Sequence, residues 1–193
     1  MTDYLQQAAA AEKQAREIIA ASNIINIWEA AGARVNIVGS LKIGVLAKHR
    51  DIDFHIYTPE LDIDRSFKIM AEICRQPQIK QCTFINLADT EERCFEWHLQ
   101  WQTVENPCWQ LDLIQIEAGS LYDGYFEKTA DQIKQAMTEE MRQTILKLKF
   151  ATPDDMKIGG IEYYKAVIQD GIRDFESFLR WRQKQNFSGI IPW

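Results

Sequence analysis

Three stretches of this 193-residue chain alternate apolar and polar residues with period two, and a β-strand is the regular structure that sends such residues to opposite faces. In Asp51–Tyr57 the apolar set is Ile52, Phe54 and Ile56, and the other set is Asp51, Asp53, His55 and Tyr57. In Cys94–Val104, Phe95, Trp97, Leu99 and Trp101 oppose Glu96, His98, Gln100 and Gln102. In Trp109–Glu117, Trp109, Leu111 and Leu113 oppose Gln110 and Asp112. The three patterns agree on a sheet with one helix-covered apolar face and one polar face that carries Asp51, Asp53 and Asp112. The turn residues Glu105-Asn106-Pro107 make the last two strands an antiparallel hairpin.

The remaining elements follow from helical spacing and punctuation. A long helix is expected from Tyr4 to Ala31, with an interruption at Ser22-Asn23 and a stop at Gly32. The strand Val35–Val38 comes next, then a short helical stretch after Gly39-Ser40. A helix near Asp64–Arg75 precedes a strand at Ile79–Leu87. Tyr122 to Phe150 carries apolar residues at helical intervals. Thr152-Pro153-Asp154-Asp155 reads as the start of another helix, with an N-cap, a proline at the first position and acidic first-turn residues. Gly159-Gly160 breaks the chain, Ile161–Asp170 resumes a helix that Gly171 ends, and Phe175, Phe178 and Leu179 mark a last amphipathic helix. The fold class is α/β (α+β): a mixed sheet with helices on one face, followed by a C-terminal helical segment. Residues 1–120 form the first unit and residues 121–193 the second, packed on it.

The hydrophobic share of 46% and the charged share of 26% are ordinary for a globular chain, and no apolar run is long enough to span a bilayer. Met1-Thr2-Asp3-Tyr4 lacks the basic start of a secretory leader, so a cytoplasmic protein is expected. Cys74, Cys82, Cys94 and Cys108 have no metal-finger spacing and read as reduced thiols. The net charge of −6 makes extended nucleic-acid binding an unlikely property and favours a small partner.

The chemistry concentrates between residues 38 and 54. Asp51 and Asp53, at i and i+2 of a strand, point the same way and make a site for a hard divalent cation, Mg²⁺ or Mn²⁺. Upstream, Gly39-Ser40 follows a strand and opens a helical turn, whose unpaired backbone N–H groups suit a polyphosphate. A phosphate site followed by paired carboxylates is the layout of metal-assisted in-line displacement. A second pair, Asp62-Ile63-Asp64, lacks the glycine-serine turn, and Asp64 is read as a helix N-cap.

With Val38-Gly39-Ser40, Asp51-Ile52-Asp53-Phe54 and Leu111-Asp112-Leu113 in that order, the chain resembles the nucleotidyltransferase superfamily that includes DNA polymerase beta. The wording His49-Arg50-Asp51-Ile52-Asp53 is similar to the metal motif of its lincosamide and aminoglycoside nucleotidyltransferases. The resemblance implies transfer of a nucleoside monophosphate from a triphosphate such as ATP to an acceptor hydroxyl, with release of pyrophosphate. Gly39 and Ser40 would hold phosphates, with Lys42 and Arg50 neutralising charge. In a two-metal mechanism the catalytic ligands Asp51 and Asp53 would bind both ions, Asp112 would complete the acceptor-side metal and receive the acceptor's proton, and Glu96 and His98 would line the acceptor pocket. A small-molecule acceptor is expected first, with a protein hydroxyl or an RNA end as the other acceptors left open, and an oligomer is compatible with the pattern. The alternative is a nucleotidyltransferase-like protein that binds a nucleotide or partner without turnover, as in a toxin–antitoxin pair.

Overall fold

The computed structural model describes residues 3–103, 107–187 and 189–193. Helices α1 (Asp3–Ser22) and α2 (Ile24–Ala30) are separated by Asn23, which adopts the left-handed conformation at φ 53° and so ends one helix before the next begins. Strand β1 (Arg34–Ile37) leads into the single-turn α3 (Gly39–Ile43), and β2 (Asp51–Thr58) returns antiparallel beside β1. Helix α4 (Ile63–Cys74) precedes β3 (Ile79–Leu87), β4 (Cys94–Trp101) and β5 (Trp109–Glu117). Of the expected hairpin turn, Glu105 and Asn106 lie outside the described residues, while β4 and β5 do pair antiparallel.

The five strands run in the order β1-β2-β5-β4-β3. Only β2 and β5 are parallel, and this central pair sets Asp53 directly opposite Asp112 and Asp51 opposite Gln110. Because paired residues share a face, the polar sets of β2, β4 and β5 are superposed on one side of the sheet. The apolar sets meet α1, α2 and α4 on the other side, where Trp28, Ile52, Phe54, Trp97, Leu111 and Leu113 are fully buried. Burying each such side chain contributes about 1.5–3 kcal/mol.

The last third departs from the expected boundaries. The run Tyr122–Phe150 is two helices, α5 (Tyr125–Ala136) and α6 (Glu139–Ala151). The break has a local cause: Thr138 caps α6 by accepting a hydrogen bond from the Met141 N–H at 3.2 Å. Thr152-Pro153-Asp154-Asp155 does not begin a helix. Lys48 instead takes this segment, donating to the Thr152 carbonyl and pairing with Asp154 at 2.6 Å. Helix α7 (Gly160–Tyr164) continues into a π-helical turn at Lys165–Gln169, and α8 (Phe175–Arg182) closes the order. At α4 the cap is Asp62, whose carboxylate accepts from the Arg65 N–H at 3.0 Å, while Asp64 sits in the first turn. These C-terminal helices share a second apolar cluster with Ile43, Val45 and Ala47, so they pack against the end of α3 and the loop that follows it.

Candidate active site

Gly39 shows why a glycine is needed at the start of the site. Its φ is +64°, and a Cβ there would come within 2.7 Å of the Asp53 carboxyl carbon. Any side chain would therefore be strained and would push the Asp53 carboxylate aside. Burial raises Asp53, and the charges of Asp51 and Asp112 add to it, bringing its pKa up to about 7. Asp51 is also raised by burial, against the opposing pull of Lys149. Asp112 accepts hydrogen bonds from His98 Nδ1 at 2.6 Å and from Gln110 Nε2 at 2.8 Å. Burial pulls His98 down, but the bonds and charges of Asp112 and Glu96 outweigh it, and the net shift is upward.

All three aspartates thus share one face, the charges of Asp51 and Asp112 act on Asp53, and Asp112 is turned toward His98 and Gln110. Among the described residues, the group whose ligand atoms all lie within 4.8 Å of one another is a different one, Glu92, Cys94 and Glu96. The aspartates nevertheless suit a hard cation: their donors are all carboxylate oxygens, and a divalent ion would offset both the burial and the neighbouring negative charges that raise Asp53.

A cleft of ≈ 540 Å³ opens beside Asp51 and is lined by Ser40, Lys149, Gly159, Gly160 and Tyr163 among others. Lys149 was not singled out from the sequence. It is buried, at 8% exposure, and its ammonium donates to Ser40 Oγ at 2.7 Å and to the Val45 carbonyl at 3.1 Å. Ser40 Oγ also lies 3.2 Å from the Tyr164 hydroxyl. The available signal was that Lys149 stands four residues after Ile145 and next to Leu148, inside the buried stripe of α6. A cation inside an apolar stripe needs a partner, and here that partner is Ser40.

Other expected residues fall elsewhere. Lys42 pairs with Asp131 of α5 at 3.6 Å, which draws its charge away from Ser40. Arg50 is exposed next to Asp51, and its carbonyl accepts from the Gln110 N–H at 2.8 Å, fastening the start of β2 to β5. Glu96 lies 3.3 Å from His98 Nε2, so Glu96, His98 and Asp112 form a continuous chain on the polar face.

No family model matches the sequence, and no curated protein does. Solved structures do. Cid1, described as having RNA terminal uridylyl transferase activity, matches with a TM-score of 0.53 at 15% identity over 81% of this chain and 46% of its own. Cid1 described as a poly(U) polymerase bound to Mg 3′-dATP gives 0.55 at 16% identity over 80% and 48%. The non-canonical poly(A) polymerase complex of GLD-2 and GLD-3 gives 0.56 at 9% identity over 87% and 58%. The chain spans about half the length of these structures. Its fold, a mixed five-stranded sheet with helices, is that of these polymerases.

The comparison corrects one expectation. A small-molecule acceptor, with extended nucleic-acid binding ruled improbable, does not agree with neighbours described as RNA terminal uridylyl transferase and poly(A) polymerase. The inference from net charge failed because −6 is a sum over the whole chain. Local fields act over about a Debye length of 8–10 Å, so a summed charge says little about one cleft.

Proposed function

We propose that the protein transfers a nucleoside monophosphate from a nucleoside triphosphate to the terminal 3′-hydroxyl of an RNA, releasing pyrophosphate. The observation that carries the reading is the β2–β5 register, which gathers Asp51, Asp53 and Asp112 on one face beside a cleft containing a buried lysine. In this reading, residues 1–120 bring the carboxylates and residues 121–193 bring Lys149 and the far wall of the cleft.

The triphosphate lies in that cleft. Lys149 and Ser40 contact its outer phosphates, and Gly39 leaves room for the backbone to approach. Asp51, Asp53 and Asp112 would hold Mg²⁺ or Mn²⁺, which would supply charge neutralisation at the reacting phosphate. The 3′-oxygen forms a bond to the α-phosphorus as the α–β bridging bond breaks, and pyrophosphate carries away the electron pair. Asp112 takes the hydroxyl proton, while His98 and Gln110 fix the direction its carboxylate faces. A cytoplasmic setting belongs to this reading and is compatible with four cysteines that are all free thiols. No helix among the described residues is long and apolar enough to cross a membrane.

The test uses α-labelled triphosphates and a short RNA, following label transfer and pyrophosphate together. Wild type should extend the RNA in Mg²⁺, and Asp112→Asn should still bind triphosphate yet transfer on the order of 10²–10⁴-fold more slowly. Transfer by Asp112→Asn at the wild-type rate would remove Asp112 from the mechanism. Absence of any RNA extension by wild type would overturn the proposed reaction.

A further inference from the structure

A second cavity, of ≈ 190 Å³, opens on the same face of the sheet, and the function above gives it no role. Its floor is Ile114 and Ile116 of β5, one wall is Phe126 and Tyr122, and the other is Glu92 and Glu96. The two cavities lie at opposite ends of the aspartate row. Along β2, Asp51 borders the first, Asp53 follows, and His55 borders the second. Along β5, Ile114 stands two residues beyond Asp112, about 6.6 Å further on. Glu96 is linked to Asp112 through His98. A triphosphate in the first cavity therefore leaves the second on the acceptor side of the reacting phosphate.

The lining specifies what fits. Phe126 is held edge-on by the buried His55 ring, with centroids 4.9 Å apart, and Tyr122 lies 5.9 Å from it, so the aromatic wall is braced. Isoleucines below and aromatic rings at the side suit a flat ring system, and a cavity of about this volume accepts one. Glu92 and Glu96 are acceptors when ionised and donate nothing, so the occupant must present N–H groups. Guanine meets this condition best, because its N1–H and N2–H are adjacent and match the two oxygens of one carboxylate. Uracil offers a single N–H flanked by two carbonyl oxygens, which the carboxylates repel.

We propose that this cavity holds the terminal base of the acceptor RNA and favours guanine there. The inference rests on the transferase reading for its placement, and the test separates the two. Four labelled RNA oligomers, identical except for the 3′-terminal nucleotide, are titrated against the full chain with Mg²⁺ and a nonhydrolysable triphosphate, reading anisotropy. Label transfer to the same oligomers is measured in parallel with hydrolysable triphosphate. The G-ended RNA should bind about 10-fold more tightly than the U-ended one, the scale of one bidentate base contact. Glu92→Gln, which replaces one acceptor oxygen by a donor, should abolish most of that preference. Tyr122→Ala should weaken all four ends alike. Equal affinity for the four ends in wild type, or an undiminished preference in Glu92→Gln, overturns the proposal. Free guanosine competing as well as the G-ended RNA also overturns it, since the cavity would then be a nucleoside site rather than an RNA-end site. End preference in binding without transfer would sink the transferase reading and leave the base site standing; transfer without end preference would do the reverse.

Discussion

Replacing Asp53 by asparagine removes a charge that the folded protein holds at a cost. Burial, then the neighbouring Asp51 and Asp112 charges, raises Asp53 from 3.8 to about 7. Between those values the folded state keeps a proton that the unfolded chain has released, so the folded state binds more protons. Stability therefore falls as pH rises through this window and levels off above it. At 1.36 kcal/mol per unit, the shift corresponds to about 4 kcal/mol as an upper bound, a large part of an ordinary domain's total. In the presence of a chelator, Asp53→Asn should therefore be more stable than wild type at about pH 8, by up to about 4 kcal/mol, with the difference vanishing near pH 4. A divalent cation should narrow that difference, because an ion bound only by the folded state adds about 2.7 kcal/mol at one hundred times its Kd. Urea unfolding midpoints at several pH values, with chelator and then with Mg²⁺, measure both effects. Parallel stability curves for wild type and Asp53→Asn in chelator would refute the reasoning, because they would mean that Asp53 ionises without resistance from its surroundings.

Gly39→Ala combines left-handed strain of about 1–2 kcal/mol with displacement of the Asp53 carboxylate, so Tm should fall by roughly 2–8 °C. Transfer by that variant, assayed well below its Tm, should fall by about 10²-fold, and a wild-type rate would show that Gly39 does not set the position of Asp53. Lys149→Gln keeps some hydrogen bonding to Ser40 but removes the charge that lowers both Asp51 and Asp53. Its triphosphate Kd by calorimetry should rise about 10-fold or more, and an unchanged Kd would place the outer phosphates elsewhere.

Period-two alternation made β2, β4 and β5 readable in advance, and with them the sharing of one face by Asp51, Asp53 and Asp112, because side-chain direction along a strand is a local property. Gly39 was readable as a turn residue, but its abutment on Asp53 depends on how β1 and β2 lie together. Local capping signals were ambiguous where two residues share one chemistry, as with Asp62 and Asp64. They failed where a distant partner competed: Lys48 engages Thr152 and Asp154, and the expected helix does not start there. Lys149 kept a helical spacing that any surface lysine can have, and only folding brought it to Ser40, 109 residues away. The sequence by itself determined the strands, their two faces and the three aspartates. The tertiary structure decided the parallel β2–β5 register that sets Asp53 opposite Asp112, the lysine that enters the cleft, and the two cavities at either end of the aspartate row. These depend on contacts between segments far apart in the chain, which no local periodicity encodes.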